Sequence, residues 1–198
     1  MRNTITIFAA VAFAFSAFAT NAQADWVEDA IKDIRVKYSQ IEGWKKQKKS
    51  YEFEADDGPE SASMTRYTYN GQVVQIDLGY SLGDHGAVNI SYYYHNGQLF
   101  FAFRSAGSWS FTGKQLPNGE SETMDSVTED RLYFKDNQVI RLLRKDVDTK
   151  NPDDLGKILA KAQNLTVEDP GLAGDVQQKG FQVLNVKSSA GLRSLFIQ

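Results

Sequence analysis

None of the 198 positions is a cysteine. That absence excludes disulfide cross-links, a thiol nucleophile, thiolate metal sites and a cysteine-linked lipid anchor together. Histidine is nearly as scarce, with only His85 and His95. A serine triad would have to use one of them, yet no Gly-x-Ser-x-Gly elbow precedes a helical pattern. No His-x-x-x-His pair or other compact ligand set suggests a metal. The glycine-containing stretches "LGDHGAVN" and "SAGSW" lack the phosphate-cradling spacing, so no nucleotide or other cofactor is implied. Neither sign of charge dominates: 22 basic against 25 acidic side chains leave a formal charge of −3, which argues against nucleic acid or an anionic membrane as general partner.

Long apolar runs are absent except at the start. "MRNTITIFAAVAFAFSAFATNAQA" has a basic residue, Arg2, an apolar run from Ile5 to Ala19, and small residues Ala22 and Ala24 flanking Gln23. This is the pattern of a secretory signal peptide over residues 1–24, cut after Ala24. The apolar run is shorter than the roughly 20 residues that cross a bilayer, so stable membrane insertion after cleavage is not expected. The signal implies a bacterial envelope protein, periplasmic or secreted, with residues 25–198 as a single α+β domain.

The next segment, "DWVEDAIKDIRVKYSQIEGWKK", repeats Val27, Ala30, Ile31, Ile34, Tyr38 and Ile41 at helical spacing. Asp25 is placed to cap this amphipathic helix, Glu28 to complete a capping box and Gly43 to stop it. "WKKQKK" then reads as a solvated basic face. "SYEFEA" alternates ring and carboxylate like a strand with one wet face, and "DDGPES" turns the chain without the ligand spacing of a calcium loop.

Residues 65–144 carry the strongest pattern. Asn70-Gly71, Asn96-Gly97 and Asp136-Asn137 each separate two apolar-rich runs. Asn-Gly and its relatives form the tightest hairpin turns because both central residues must take positive φ. "SYYYHNGQLFFAFR" and "RLYFKDNQVIRLLR" align at a constant offset: Tyr93 matches Tyr133, Gln98 matches Gln138 and Arg104 matches Arg144. Repetition of this kind predicts repeated supersecondary structure, here an antiparallel meander of hairpins.

A two-residue turn with no irregularity would pair Tyr94 with Leu99, Tyr93 with Phe100 and Tyr92 with Phe101. Alternation would then place Tyr92, Tyr94, Leu99, Phe101 and Phe103 on one face and Tyr93, Phe100, Ala102 and Arg104 on the other. The first set is the expected core; in the third hairpin Leu132, Phe134, Val139 and Leu143 share that side with Arg141, which needs a carboxylate partner or a route to the rim. The second set, with its counterparts, makes Tyr93, Arg104, Tyr133 and Arg144 the candidate binding residues, rings beside guanidinium groups that hold carboxylates or stack on flat ligands; the alternative for Arg104 and Arg144 is pairing with an internal carboxylate, Glu129 or Asp130.

Towards the end, "NPDDLGKILAKAQNL" fits a short helix, and Phe181 to Val186 reads as a late strand. The final "LRSLFIQ" either docks or frays. The expected architecture is α+β: an N-terminal helix packed on a twisted antiparallel meander sheet, followed by a short C-terminal helix and that strand.

"YYYHNGQLFFAFR" and "EDRLYFKDNQVIRLL" resemble tandem Tyr-rich Asn-Gly hairpins of uncharacterised bacterial exported proteins, over residues 65–144. The resemblance implies an exported, antiparallel, nonenzymatic domain and brings no catalytic residues. The function expected is therefore noncatalytic binding of a protein, peptide or envelope glycan through an aromatic and arginine-bearing sheet face. A structural envelope domain without a ligand site is one alternative. A cell-wall glycan hydrolase is the other, with a carboxylate pair drawn from Glu120, Glu122, Asp125, Glu129 and Asp130.

Overall fold

The computed structural model describes residues 16–54, 61–81 and 83–197. Their elements run helix α1 (Ser16–Gly43), strands β1 (Gln47–Glu54), β2 (Ser61–Tyr69), β3 (Gln72–Ser81), β4 (Gly86–His95), β5 (Gln98–Gln115), β6 (Ser121–Lys135) and β7 (Gln138–Thr149). A 3-10 turn (Pro152–Asp154), helix α2 (Leu155–Lys161), the two-residue strand β8 (Leu165–Thr166) and helices α3 (Pro170–Leu184) and α4 (Ser189–Arg193) complete the chain. All eight strands form one antiparallel sheet in sequence order, a meander with no crossover.

The three predicted turns are present with the backbone that their residues favour. Asn70 and Gly71, Asn96 and Gly97, and Asp136 and Asn137 all have positive φ, between 50° and 77°. Each hairpin carries a further feature, at the same distance from its turn. Tyr67 pairs with Gln75, Tyr93 with Phe101 and Tyr133 with Arg141, so Val74, Phe100 and Ile140 are extra residues on the returning strand. A β-bulge of this kind sets two residues against one and shifts the alternation beyond it.

The bulge corrects the expected faces. Tyr94 does oppose Leu99, but Phe100 is looped out, Phe101 faces Tyr93, and Ala102 faces Tyr92. Phe101 and Phe103 therefore join Tyr93, while Arg104 joins Tyr92 and Tyr94 on the opposite side. Two cores result, one on each side of the sheet.

On the first side, α1 lays Ile31, Ile34 and Ile41 over Val74, Tyr93, Phe100, Phe101 and Tyr133, so each bulge residue becomes part of the helix seat. The third bulge likewise moves Arg141 from the expected face of Leu132 and Phe134 to that of Tyr133, where Glu28 of α1 accepts from it at 2.7 Å. Asp25 does not cap α1, because the helix already runs through it from Ser16; Gly43 does end it. Residues 1–15 of the expected signal segment, and the acidic turn at 55–60, lie outside the described residues.

On the second side, α3 seats Ala173, Val176, Gly180 and Val183 against Met64, Ile76, Tyr92, Tyr94, Leu99 and Leu132. The late strand is thus corrected to helix: Phe181 to Leu184 are the last turns of α3. Asp169 caps its start, accepting from the Leu172 N–H, and Pro170 sits at the first turn. Glycine inside a helix lowers its propensity, but at 180 a Cβ would meet Tyr92 and Leu99 at 3.0 Å, and the Tyr94 hydroxyl donates to the Gly180 carbonyl at 2.7 Å. Close approach to the sheet, not flexibility, accounts for that glycine. The final segment docks: Leu192 is fully buried, and Phe196 contacts Phe53 and Tyr80.

Candidate binding face

The four residues singled out from the repeats fall on opposite sides of the sheet. Tyr93 and Tyr133 lie beneath α1 and are each only 4% exposed. Arg104 and Arg144 lie beneath α3, where both reach Asp130, at 2.8 and 2.6 Å. The bulge separates them: one extra residue between turn and arginine reverses the side to which every later residue points.

Arg104, Asp130 and Arg144 are cross-strand neighbours on β5, β6 and β7. Asp130 is completely buried, and Arg144 extends to Asp169 at 3.0 Å, joining the sheet to the cap of α3. The backbone N–H of Leu172 and the Arg144 guanidinium hold the Asp169 carboxyl below the usual aspartate range. At the other end of α3, Arg66 donates to the carbonyls of Leu184 and Val186 at 2.7 and 2.6 Å, where the helix carries its negative pole. These arginines are committed to holding α3 on the sheet.

The rings under α1 have a different setting. Tyr93, Phe101, Phe103 and Tyr133 form the floor of a recess of about 310 Å³ beside Tyr38, with Arg35 and Arg131 at its rim. Tyr38 meets Tyr93 and Phe101 edge-on at 5.0 and 5.5 Å, and Phe101 lies 5.2 Å from Tyr133. Burial raises the Tyr93 hydroxyl well above the usual phenol range, with Glu42 adding to the effect. Arg131 lies over Phe103 at 4.9 Å and bonds to Glu129 and Asn164. Sequence reading thus found two floor residues but missed Arg35 and Arg131. Arg35 sits on the polar side of the α1 pattern; Arg131, two residues from Tyr133 on β6, falls on this side by alternation alone but was not among the four residues singled out.

The candidate hydrolase acids do not converge. Along β6, alternation sends Glu122 and Asp130 to the α3 side and Asp125 and Glu129 to the α1 side. At about 3.3 Å per residue these two pairs are roughly 26 and 13 Å apart along the strand, beyond the 5 to 9 Å of a glycosidase pair; Glu120 and Glu122 are only two positions apart, but each is tied to local partners at the end of the β5–β6 hairpin. Hydrogen bonds from Lys150 and Thr112 hold the Glu122 carboxyl below its usual range, and Glu120 accepts from the Asn118 amide in the turn. His85 packs its ring on Trp109 at 4.1 Å, and no three acidic or histidine side chains cluster as a metal site among the described residues. The "WKKQKK" patch divides into separate contacts: Trp44 stacks on Tyr69, Lys46 binds Glu42 and Gln75, and Lys49 lies over Tyr51.

The molecule is thus a mixed helix and sheet protein whose meander is covered by helices on both sides, with an aromatic recess on one. In comparisons with known proteins, the chain matches no family model, no curated protein and no solved structure. No described helix is long and apolar enough to cross a membrane.

Proposed function

We propose that this chain is a noncatalytic binding protein exported to the bacterial envelope, and that its recognition surface is the α1 side of the sheet. The observation that carries the reading is the recess itself: Tyr93, Phe101, Phe103 and Tyr133 below, Tyr38 beside them, and two guanidinium groups at the mouth. Tyrosine, phenylalanine and arginine are the side chains that dominate binding surfaces, because they combine large contact area with directional polar groups. Arg104 and Arg144 leave the proposed contact set; Tyr93 and Tyr133, buried beneath α1, only back the recess, and Tyr38, Phe103, Arg35 and Arg131 supply its accessible groups. For the hydrolase alternative, Asp125, Glu129 and Asp130 offer no same-side pair at the required spacing, and Glu120 and Glu122 are held in hydrogen bonds outside the recess lining.

Export rests on the sequence of residues 1–24 and is tested by N-terminal sequencing of protein from cell-envelope material, which should begin at Asp25. A chain still starting at Met1 there would contradict it. Binding is tested by comparing recovery of envelope components on the intact protein and on an Arg35→Glu, Arg131→Gln double variant of unchanged melting behaviour. The proposal expects loss of the recovered component; equal recovery by both would remove the recess as the recognition surface.

A further inference from the structure

The recess is one end of a longer open surface. Beyond the row of Tyr93, Phe101 and Tyr133, strands β4 to β6 continue on the same side through Ser91, Phe103 and Arg131, then Asn89, Ser105 and Glu129, then Ala87, Gly107 and Val127. None of the nine is fully buried. At the far end Trp109 opposes Asp125, and its indole packs against His85 at 4.1 Å and edge-on to Phe111 at 5.2 Å. Phe111 is 61% exposed. From Phe103 to Trp109 the strand covers roughly 20 Å.

Between these aromatic ends the floor is polar in the rows of Ser91 and of Asn89 and Ser105, and apolar at Ala87 and Val127. Ser91, Asn89 and Ser105 present hydroxyl and amide groups, and Gly79 and Gly107 keep side chains out of the way. A Cβ at 79 would come within 2.9 Å of the Asn89 Oδ1 and displace that side chain. Arg131 is paired with Glu129 at 3.0 Å, so the two charges compensate one another on the floor.

We infer that this face is a glycan-binding trough for an extended, uncharged oligosaccharide, its rings stacking on Trp109 and the exposed Phe111 and its hydroxyls bonding to Ser91, Asn89, Ser105 and Glu129. The inference rests on the recess reading and names its ligand class. Stacking needs exposed ring faces with apolar surface, and sugar hydroxyls need groups able both to donate and to accept. An extended peptide is the less suitable occupant. It would bind by adding a strand to a sheet edge, but β4 to β6 are interior strands whose ladders are paired on both sides. A helical peptide would need a continuous apolar groove, and this floor is interrupted by serine, asparagine and glutamate.

Trp109 supplies the reporter. Cellohexaose, chitohexaose and maltohexaose are titrated separately into the purified protein, followed by tryptophan emission and by calorimetry. At least one should bind saturably and alter the emission. Trp109→Ala should abolish the optical change and weaken binding about tenfold or more, the loss of one stacked ring. Ser105→Trp, which fills the floor, should weaken binding while leaving the melting temperature unchanged. Binding of equal strength in the Trp109→Ala and Ser105→Trp proteins would overturn the trough. If no hexasaccharide binds while the Arg35→Glu, Arg131→Gln variant still loses its envelope partner, the glycan inference falls and the recess reading stands. If neither sugar binding nor that partner loss is observed, both fall.

Discussion

Replacing Asp130 with asparagine keeps the shape of the side chain but removes the only charge it brings. In the native sheet this carboxylate is completely buried and accepts from Arg104 at 2.8 Å and from Arg144 at 2.6 Å. Without it, two guanidinium groups face each other across β6 with no anion between them. Breaking a buried ion pair by removing one partner costs about 3–5 kcal/mol. Here the lower end applies, because Arg104 and Arg144 keep 16% and 22% of their side-chain surface and Arg144 retains Asp169. A loss of about 3 kcal/mol in a chain of this size lowers the melting temperature by roughly 6–12 °C. Thermal and urea unfolding followed by circular dichroism read it directly. The companion Arg104→Met, Asp130→Leu, Arg144→Met variant removes all three charges together and should recover most of the stability, since apolar replacement of a buried ionic group is often neutral. A single variant within about 1 kcal/mol of the parent, or a triple variant less stable than the single, would refute the reasoning.

Gly180→Val should destabilise by about 1–3 kcal/mol, although valine is the better helix former, because its Cβ must displace Tyr92 and Leu99; unfolding in urea measures it. Gly97→Ala places a side chain where φ is 77° and should cost about 1–2 kcal/mol, with hydrogen exchange loosening the β4–β5 hairpin. Burial raises the phenols of Tyr92, Tyr93 and Tyr94, so the stability they contribute is complete below the ordinary phenol value and is lost as pH rises beyond it. Ultraviolet titration should therefore show these three ionising only together with alkaline unfolding. The Asp169 carboxyl is depressed, so its contribution is present above the usual aspartate range and lost as pH falls through the folded value. Asp169→Asn should flatten the acid limb of the stability profile, and an unchanged limb would exclude this residue from it.

The three turns were legible because positive φ at two adjacent positions restricts residue choice almost to Asn, Asp and Gly. Meander order followed, since short turns leave consecutive strands as neighbours. The bulges were not legible. Val74, Phe100 and Ile140 are apolar residues among other apolar residues, and nothing in their identity shows that the partner strand skips them. That omission moved Phe101 and Phe103 to the other side and divided the candidate site. The C-terminal helix was obscured by Gly171, Gly174 and Gly180, which lower helical propensity; packing of Ala173, Val176 and Val183 against the sheet overrides it. The equal spacing of Arg104 and Arg144 from their turns already pointed to Glu129 or Asp130 as a shared partner, and the register of β5, β6 and β7 selects Asp130.

The most direct test of the proposed recognition surface is amide chemical-shift mapping of the isotope-labelled protein during titration with solubilised envelope material. The account predicts that the largest shifts cluster at Tyr38, Phe103 and Arg131 and continue along β5 towards Trp109. Shifts confined to α3 and the Asp169 cap, or no saturable shift on the α1 side, would contradict it.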